Sequence, residues 1–162
     1  MFKIGDKVVH PYHGAGMVKD IEEKSFLKER SRYYIVDLVA SDGVVMVPTN
    51  NVQRIGLRRV SGRRAISRAM NTLTSTPDTL SNDHRERQAR AQERLNTGDL
   101  LEVTEVMRNL AWRNHEGRLT MADNKLYQRA QTFLASELAL ARGIELQEAK
   151  DQLQTTLNDE YN

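Results

Sequence analysis

The period of the apolar residues changes once along this chain, near Gly56 to Gly62, and that change limits the fold more than any other feature. Before it, apolar side chains come in short β-branched or aromatic runs: Lys7-Val8-Val9, Gly16-Met17-Val18 to Ile21, Tyr33 to Val39, and Val44 to Val47. Strand residues alternate between faces, and runs of this length broken by Gly, Asp, Asn and Pro predict a small barrel of antiparallel strands. Ser41-Asp42-Gly43 supplies a tight hairpin turn, because glycine accepts the positive φ that such a turn needs. The charged segment Ser25 to Arg32 has no period and reads as a longer hairpin loop.

After about residue 61 the spacing becomes 3.6 and predicts helices. Ile66, Ala69, Met70 and Leu73 share one face of a first helix, which ends before Ser75-Thr76-Pro77. Asn82 or Asp83 caps a second helix that runs through Leu95 to Gly98 and is mostly Arg, Glu and Gln. Asp99 and Glu102 have capping-box spacing ahead of the stripe Leu100, Val103, Met107 and Leu110. Thr120 starts a fourth helix that stops at Gly143, and Leu146, Ala149, Leu153 and Leu157 mark a fifth. The expectation is an α+β chain of two domains, residues 1–57 and 61–162, the second a bundle of about five helices. A length of 162 residues supports both.

Several chemistries are excluded or weakened by residue type. With no cysteine, thiolate nucleophiles, disulfides and cysteine-ligated metals are closed off. The opening MFKIGDKVV lacks the apolar run of a secretory leader, and no window has the length of a membrane span, so a cytoplasmic protein without membrane association is expected. His10 and His13 flank Pro11-Tyr12 in an HxxH pattern, but Pro11 forbids the helix interior on which paired zinc histidines usually ride. Gly14-Ala15-Gly16 lacks the GK[ST] ending of a phosphate loop; Pro11, Gly14 and Gly16 read as residues shaping a bend between strands. Glu22 and Glu23 are strand neighbours and cannot share a site, and no GxSxG occurs. No enzyme, cofactor or metal is expected.

Charge points elsewhere. Residues 1–57 and 101–162 are close to neutral or acidic, whereas residues 58–100 carry 9 arginines against 5 carboxylates: Arg58, Arg59, Arg63, Arg64, Arg68, Arg85, Arg87, Arg90 and Arg94. Guanidinium forks match phosphate geometry, so nucleic acid is a plausible partner, with a solvated helix face as the plain alternative. Trp112, the single tryptophan, lies roughly 160° from the centre of the Leu100 to Leu110 stripe. It could stack on a base, or it could be covered by another helix.

The opening IGDKVVHPYHGAGMV, the MVP of Met46 to Pro48, the TGD of Thr97 to Asp99 and the SELALARG of Ser136 to Gly143 together resemble the CarD/CdnL family of bacterial transcription regulators. These motifs occur in order over nearly the whole chain. The resemblance implies an N-terminal Tudor-like, SH3-like barrel that binds the RNA polymerase β subunit by strand addition, a module shared with the transcription-repair coupling helicase. It places the polymerase contacts at Lys24 and Met46, and on the strands around them at Tyr33, Val45 and Val47. Met46 stands where some relatives have arginine.

The resemblance also implies a helical domain that meets promoter DNA at the upstream edge of the melted bubble, chiefly at backbone and minor groove, and modulates open-complex stability. The implied contacts are His84, Arg85, Arg87, Arg90 and Arg94. His84 occupies the position of a wedge tryptophan in many relatives, and imidazole buries less area than indole, so a weaker wedge is expected. A monomer associated with the nucleoid through polymerase follows. The missing tryptophan and the acidic final segment leave a second reading open, an adaptor whose helices recruit a protein.

Overall fold

The computed structural model describes residues 1–161, apart from the side chain of Phe26. Five strands come first: β1 Lys7–His10, β2 Gly14–Phe26, β3 Glu29–Leu38, β4 Val44–Pro48 and β5 Arg58–Arg59, with a single-turn helix α1 Val52–Ile55 ahead of β5. Five longer helices follow: α2 Arg63–Leu73, α3 His84–Asn96, α4 Leu100–His115, α5 Met121–Arg142 and α6 Leu146–Tyr161. The layout is α+β, with the sheet and the helices segregated along the chain.

The strands pair antiparallel in the order β4-β3-β2-β1-β5. β4 and β5 are the two outer strands, and no pairing joins them into a closed barrel among the described residues. One correction concerns residues 25–32. β2 and β3 continue through this segment, pairing Lys24 with Ser31, Ser25 with Arg30 and Phe26 with Glu29. Only Leu27 and Lys28 form the turn, both at positive φ (49° and 71°). Two-residue hairpins need positive φ at both positions and usually use Asn-Gly to get it; a Leu-Lys pair carries no such signal.

One face of the sheet packs Val8, Val18, Tyr34, Val36 and Val47 against Phe2, Val52 and Leu57. The helical core is built on Leu73, Met107, Leu110 and Leu157, each buried to 1% exposure or less and each stabilising the fold by about 1.5–3 kcal/mol through area removed from water. Val9 and Ala15 of the sheet belong to this second core, so sheet and helices share buried surface.

Capping follows chemistry. Asp83, not Asn82, caps α3, accepting from the amides of Arg85 and Glu86. Asp99 accepts from the Glu102 amide, but the return bond expected of a capping box is not made, because the Glu102 carboxylate goes to Arg94 at 2.7 Å. The reciprocal box forms at α5 instead, between Thr120 and Asp123.

Candidate functional site

The four motifs that carry the resemblance do not scatter. Three of them meet where sheet and helices join. The Ala15 amide donates to Ser136 Oγ at 3.0 Å, and that hydroxyl donates to Phe133 O. Next to Ser136, Glu137 is fully buried and receives both guanidinium nitrogens of Arg58 (2.8 and 2.7 Å) and the Ser61 amide (2.8 Å). Burial alone would raise the Glu137 carboxyl, but the Arg58 bonds and charge together with Ser61 outweigh it and hold the group below the usual carboxylate range. Arg58 also donates to the carbonyl of Gly98, at 3.1 and 3.0 Å. Gly98 is at φ +65°, and a Cβ placed there would lie 2.5 Å from the Cα and Cβ of Pro11.

The histidines that suggested metal serve this same turn. His10 Nδ1 accepts from the amides of Tyr12 (3.1 Å) and His13 (3.2 Å), which engages one ring nitrogen in shaping the bend. Pro11 and Gly14 (φ +84°) sit in that bend. Gly16 does not: it lies inside β2, paired with Val8 and Leu38, where a Cβ would approach Asp37 O to 2.6 Å. Its lack of a side chain serves strand contact, which corrects the expected turn role.

On the sheet, ladder partners share a face. Met46 pairs with Ile35 and Ile35 with Asp20; Pro48 pairs with Tyr33 and Tyr33 with Glu22; Ser31 pairs with Lys24. Met46, Tyr33 and Lys24 therefore lie on the outer face, with Lys24 two strands from β4 and roughly 16 Å from Met46 by strand spacing and rise. Val45 and Val47 point the other way. Val47 is 1% exposed in the sheet core and Val45 packs against that core, so these two offer a partner only their backbone. Val44 and Met46 are 46% and 44% exposed, on a strand whose outer edge has no partner among the described residues.

The arginines of α3 divide in a way the sequence does not show. Arg87 is 3% exposed; its Nε and Nη2 reach the two Asp123 oxygens at 3.0 Å each, and its Nη1 donates to Ser81 O. Burial would raise the Asp123 carboxyl, and the bonds from Arg87 and Thr120 more than offset that, keeping it low. Arg113 approaches the same carboxylate at 3.4 Å. This corrects Arg87 as a phosphate ligand: its guanidinium is committed inside the fold. Arg94 is paired with Glu102 and Glu105, and the exposed Arg90 with Glu86 at 2.7 Å. His84 and Arg85 are exposed at the start of the helix.

Trp112 is 37% exposed, stacked on His115 (centroids 5.2 Å apart) and tilted against Tyr161 of α6 (5.6 Å). A neighbouring helix half covers it. No helix among the described residues is long and apolar enough to cross a membrane.

Comparison with known proteins accounts for both halves. Residues 2–61 match the family described as CarD-like/TRCF RID domain, and residues 68–154 match the one described as CarD, C-terminal domain. Over 144 residues the chain is 33% identical to the protein named "Putative transcription factor YdeB" of Bacillus subtilis (strain 168), a match covering 89% of this chain and 94% of that one.

Proposed function

The chain belongs to the CarD/CdnL family of transcription regulators, which are not enzymes, and from that premise we propose that it docks on the RNA polymerase β subunit and contacts promoter DNA. The observation that carries the reading is the free edge of β4. An unpaired edge strand presents a row of main-chain donors and acceptors, and strand addition satisfies them while exposed side chains set the register. Val44 and Met46 beside that edge, with Tyr33 and Lys24 on the same face, supply a contact surface of mixed apolar and charged character, in which Lys24 meets Glu22 at 3.2 Å. His84, Arg85 and Arg90 are the α3 residues exposed to meet DNA near the upstream edge of the bubble, Arg90 by exchanging its surface pair with Glu86 for a phosphate. The chain acts as a monomer in the cytoplasm, brought to the nucleoid by polymerase.

A factor that binds the open complex more tightly than the closed one shifts that equilibrium by the ratio of its two affinities and no further. The decisive experiment has two arms. Met46→Asp should weaken binding to purified polymerase by about tenfold or more, a loss of about 1.4 kcal/mol, without lowering the unfolding temperature. Arg85→Ala with Arg90→Ala should leave polymerase binding intact and shorten the open-complex lifetime. Full polymerase binding by Met46→Asp would refute the edge-strand reading.

One observation favours the adaptor reading. Three of the four α3 arginines are already paired with carboxylates of the same chain, which leaves this helix little free positive charge. If the double variant leaves open-complex lifetime unchanged, α3 faces a protein.

A further inference from the structure

Between Gly43 and Pro77 the chain contains no aspartate or glutamate, yet it carries Arg54, Arg58, Arg59, Arg63, Arg64 and Arg68. Arg58 is turned inward to Glu137, and Arg59 meets Asp6 at 3.2 Å. The other four have no ion-pair partner among the described residues, and Arg63, Arg64 and Arg68 all stand exposed on α2. The contrast with α3 is direct. There three of the four arginines are paired with carboxylates and only Arg85 is unpaired among the described residues; on α2 three positive charges face water with no carboxylate on their own helix.

The helix itself is not favoured by this arrangement. Arg63 and Arg64 occupy the first turn of α2, where cations oppose the helix dipole, and Gly62 before them provides no side-chain cap. Residues that work against their own element without local compensation are the ones to examine for a partner. Beside them is an open cavity of about 620 Å³ lined by Arg58, Arg59, Arg64 and Arg68 and, at the start of α4, by Asp99, Leu100 and Leu101.

We infer that the α2 face carrying Arg63, Arg64 and Arg68 is a second phosphate-binding surface, occupied by the backbone of duplex DNA and distinct from the start of α3. This rests on the promoter-associated role proposed above. Duplex DNA fits better than an acidic peptide for two reasons. Arg64 and Arg68 stand one turn apart on a rigid helix, about 6 Å along its axis, and form a row of forks suited to a regular line of phosphates. Duplex DNA also presents a charge every ~1.7 Å of axis and releases counterions when arginines replace them, so clustered arginine charge is sufficient for binding without use of the neighbouring Leu100 and Leu101. The exposed residues between the arginines are Ala65 and Ser67, which offer no anchor to a peptide.

The experiment measures the affinity of the full chain for polymerase alone and for polymerase on promoter DNA extended upstream, across a range of salt. The triple variant R63Q/R64Q/R68Q keeps helix-forming side chains, and its circular dichroism and melting confirm folding. It should match the parent on polymerase alone, bind the promoter complex more weakly, and flatten the slope of log K against log salt by about 2–3, at ~0.9 per lost phosphate contact. R63K/R64K/R68K should restore most of that slope. Parental affinity and slope for the triple glutamine variant on the promoter complex would overturn the inference. Equal loss on polymerase alone would overturn it too, assigning the face to a protein contact. If the parent chain binds neither target, the promoter role itself fails, which is a different result.

Discussion

Replacing Gly98 by alanine tests whether the joint between sheet and helices is as tight as its geometry implies. Two costs add. Gly98 is left-handed at φ +65°, which costs an L-residue about 1–2 kcal/mol. The new Cβ would also lie 2.5 Å from Pro11 Cα and Cβ, far inside contact distance. Neither partner can step aside cheaply: Pro11 sits in a bend fixed by His10, and the Gly98 carbonyl is held by Arg58. Overpacking of this kind costs about 1–3 kcal/mol, so the sum is about 2–5 kcal/mol. Gly117 is the matched control, at φ +72° with nothing within 4 Å of an added Cβ, and its alanine variant should cost only the backbone part. The loss of unfolded-state freedom is common to both and cancels. Urea unfolding followed by Trp112 fluorescence reads the difference, expected as a midpoint for Gly98→Ala below that of Gly117→Ala by about 0.5–1.5 M at an m-value near 2 kcal/mol per M. If the two variants unfold together, Pro11 and Gly98 are not in contact and the joint is looser than described.

Glu137→Gln removes a buried carboxylate facing Arg58 and should cost about 2–4 kcal/mol, at the lower end for buried pairs because Arg58 is partly exposed. Because the Glu137 carboxyl is held low in the folded chain, its contribution is present above the unfolded carboxylate range, near 4.3, and is lost as pH falls through the folded value; Gln should remove that part of the acid limb in a pH series of unfolding curves. Arg87→Ala should destabilise by about 3 kcal/mol, the lower end for a buried pair because Asp123 keeps Arg113 at 3.4 Å, whereas exposed Arg85→Ala should stay within about 0.5 kcal/mol, a contrast read by thermal melting. Burial, with the His13 charge adding to it, holds His10 down to about 4, so between about 6.5 and 4 the unfolded chain takes up a proton that the folded one refuses. Stability should therefore fall as pH drops through that window, and a nuclear magnetic resonance titration of His10 should show its depressed midpoint.

Much of the fold is legible in the residues because local chemistry decides it. The caps at Thr120 and Asp83 and the stop at Gly143 (φ +67°) rest on side chains and backbone freedom within one turn. The Leu27-Lys28 turn is not legible, since the strands on either side impose positive φ on residues that do not favour it. Site residues divide on the same line. Arg87 lies on one stripe with Ala91 and Leu95, four residues apart, and that stripe faces inward. This was the available sign that it is structural, although nothing in the sequence names Asp123 as its partner. Glu137, a carboxylate within an otherwise apolar Leu-Ala run, gave a similar sign that a cation must come from elsewhere. The pairing of Arg94 with Glu102 and Glu105 spans two helices and has no local signature.

The joint that buries Glu137 and fits Gly98 against Pro11 also governs how two contacts on one chain reinforce each other. A flexible tether gives its second contact a diluted, averaged local concentration. A stiff connection gives either a very high one or none, depending on whether the spacing matches. Once β4 is seated on a partner, the arginines of α2 and α3 are held at set distances from it, with their positional entropy already spent. The chain would then act as a gauge: it would reward only DNA that passes polymerase at one offset, and a substitution in the joint would alter promoter response while leaving both contact surfaces intact.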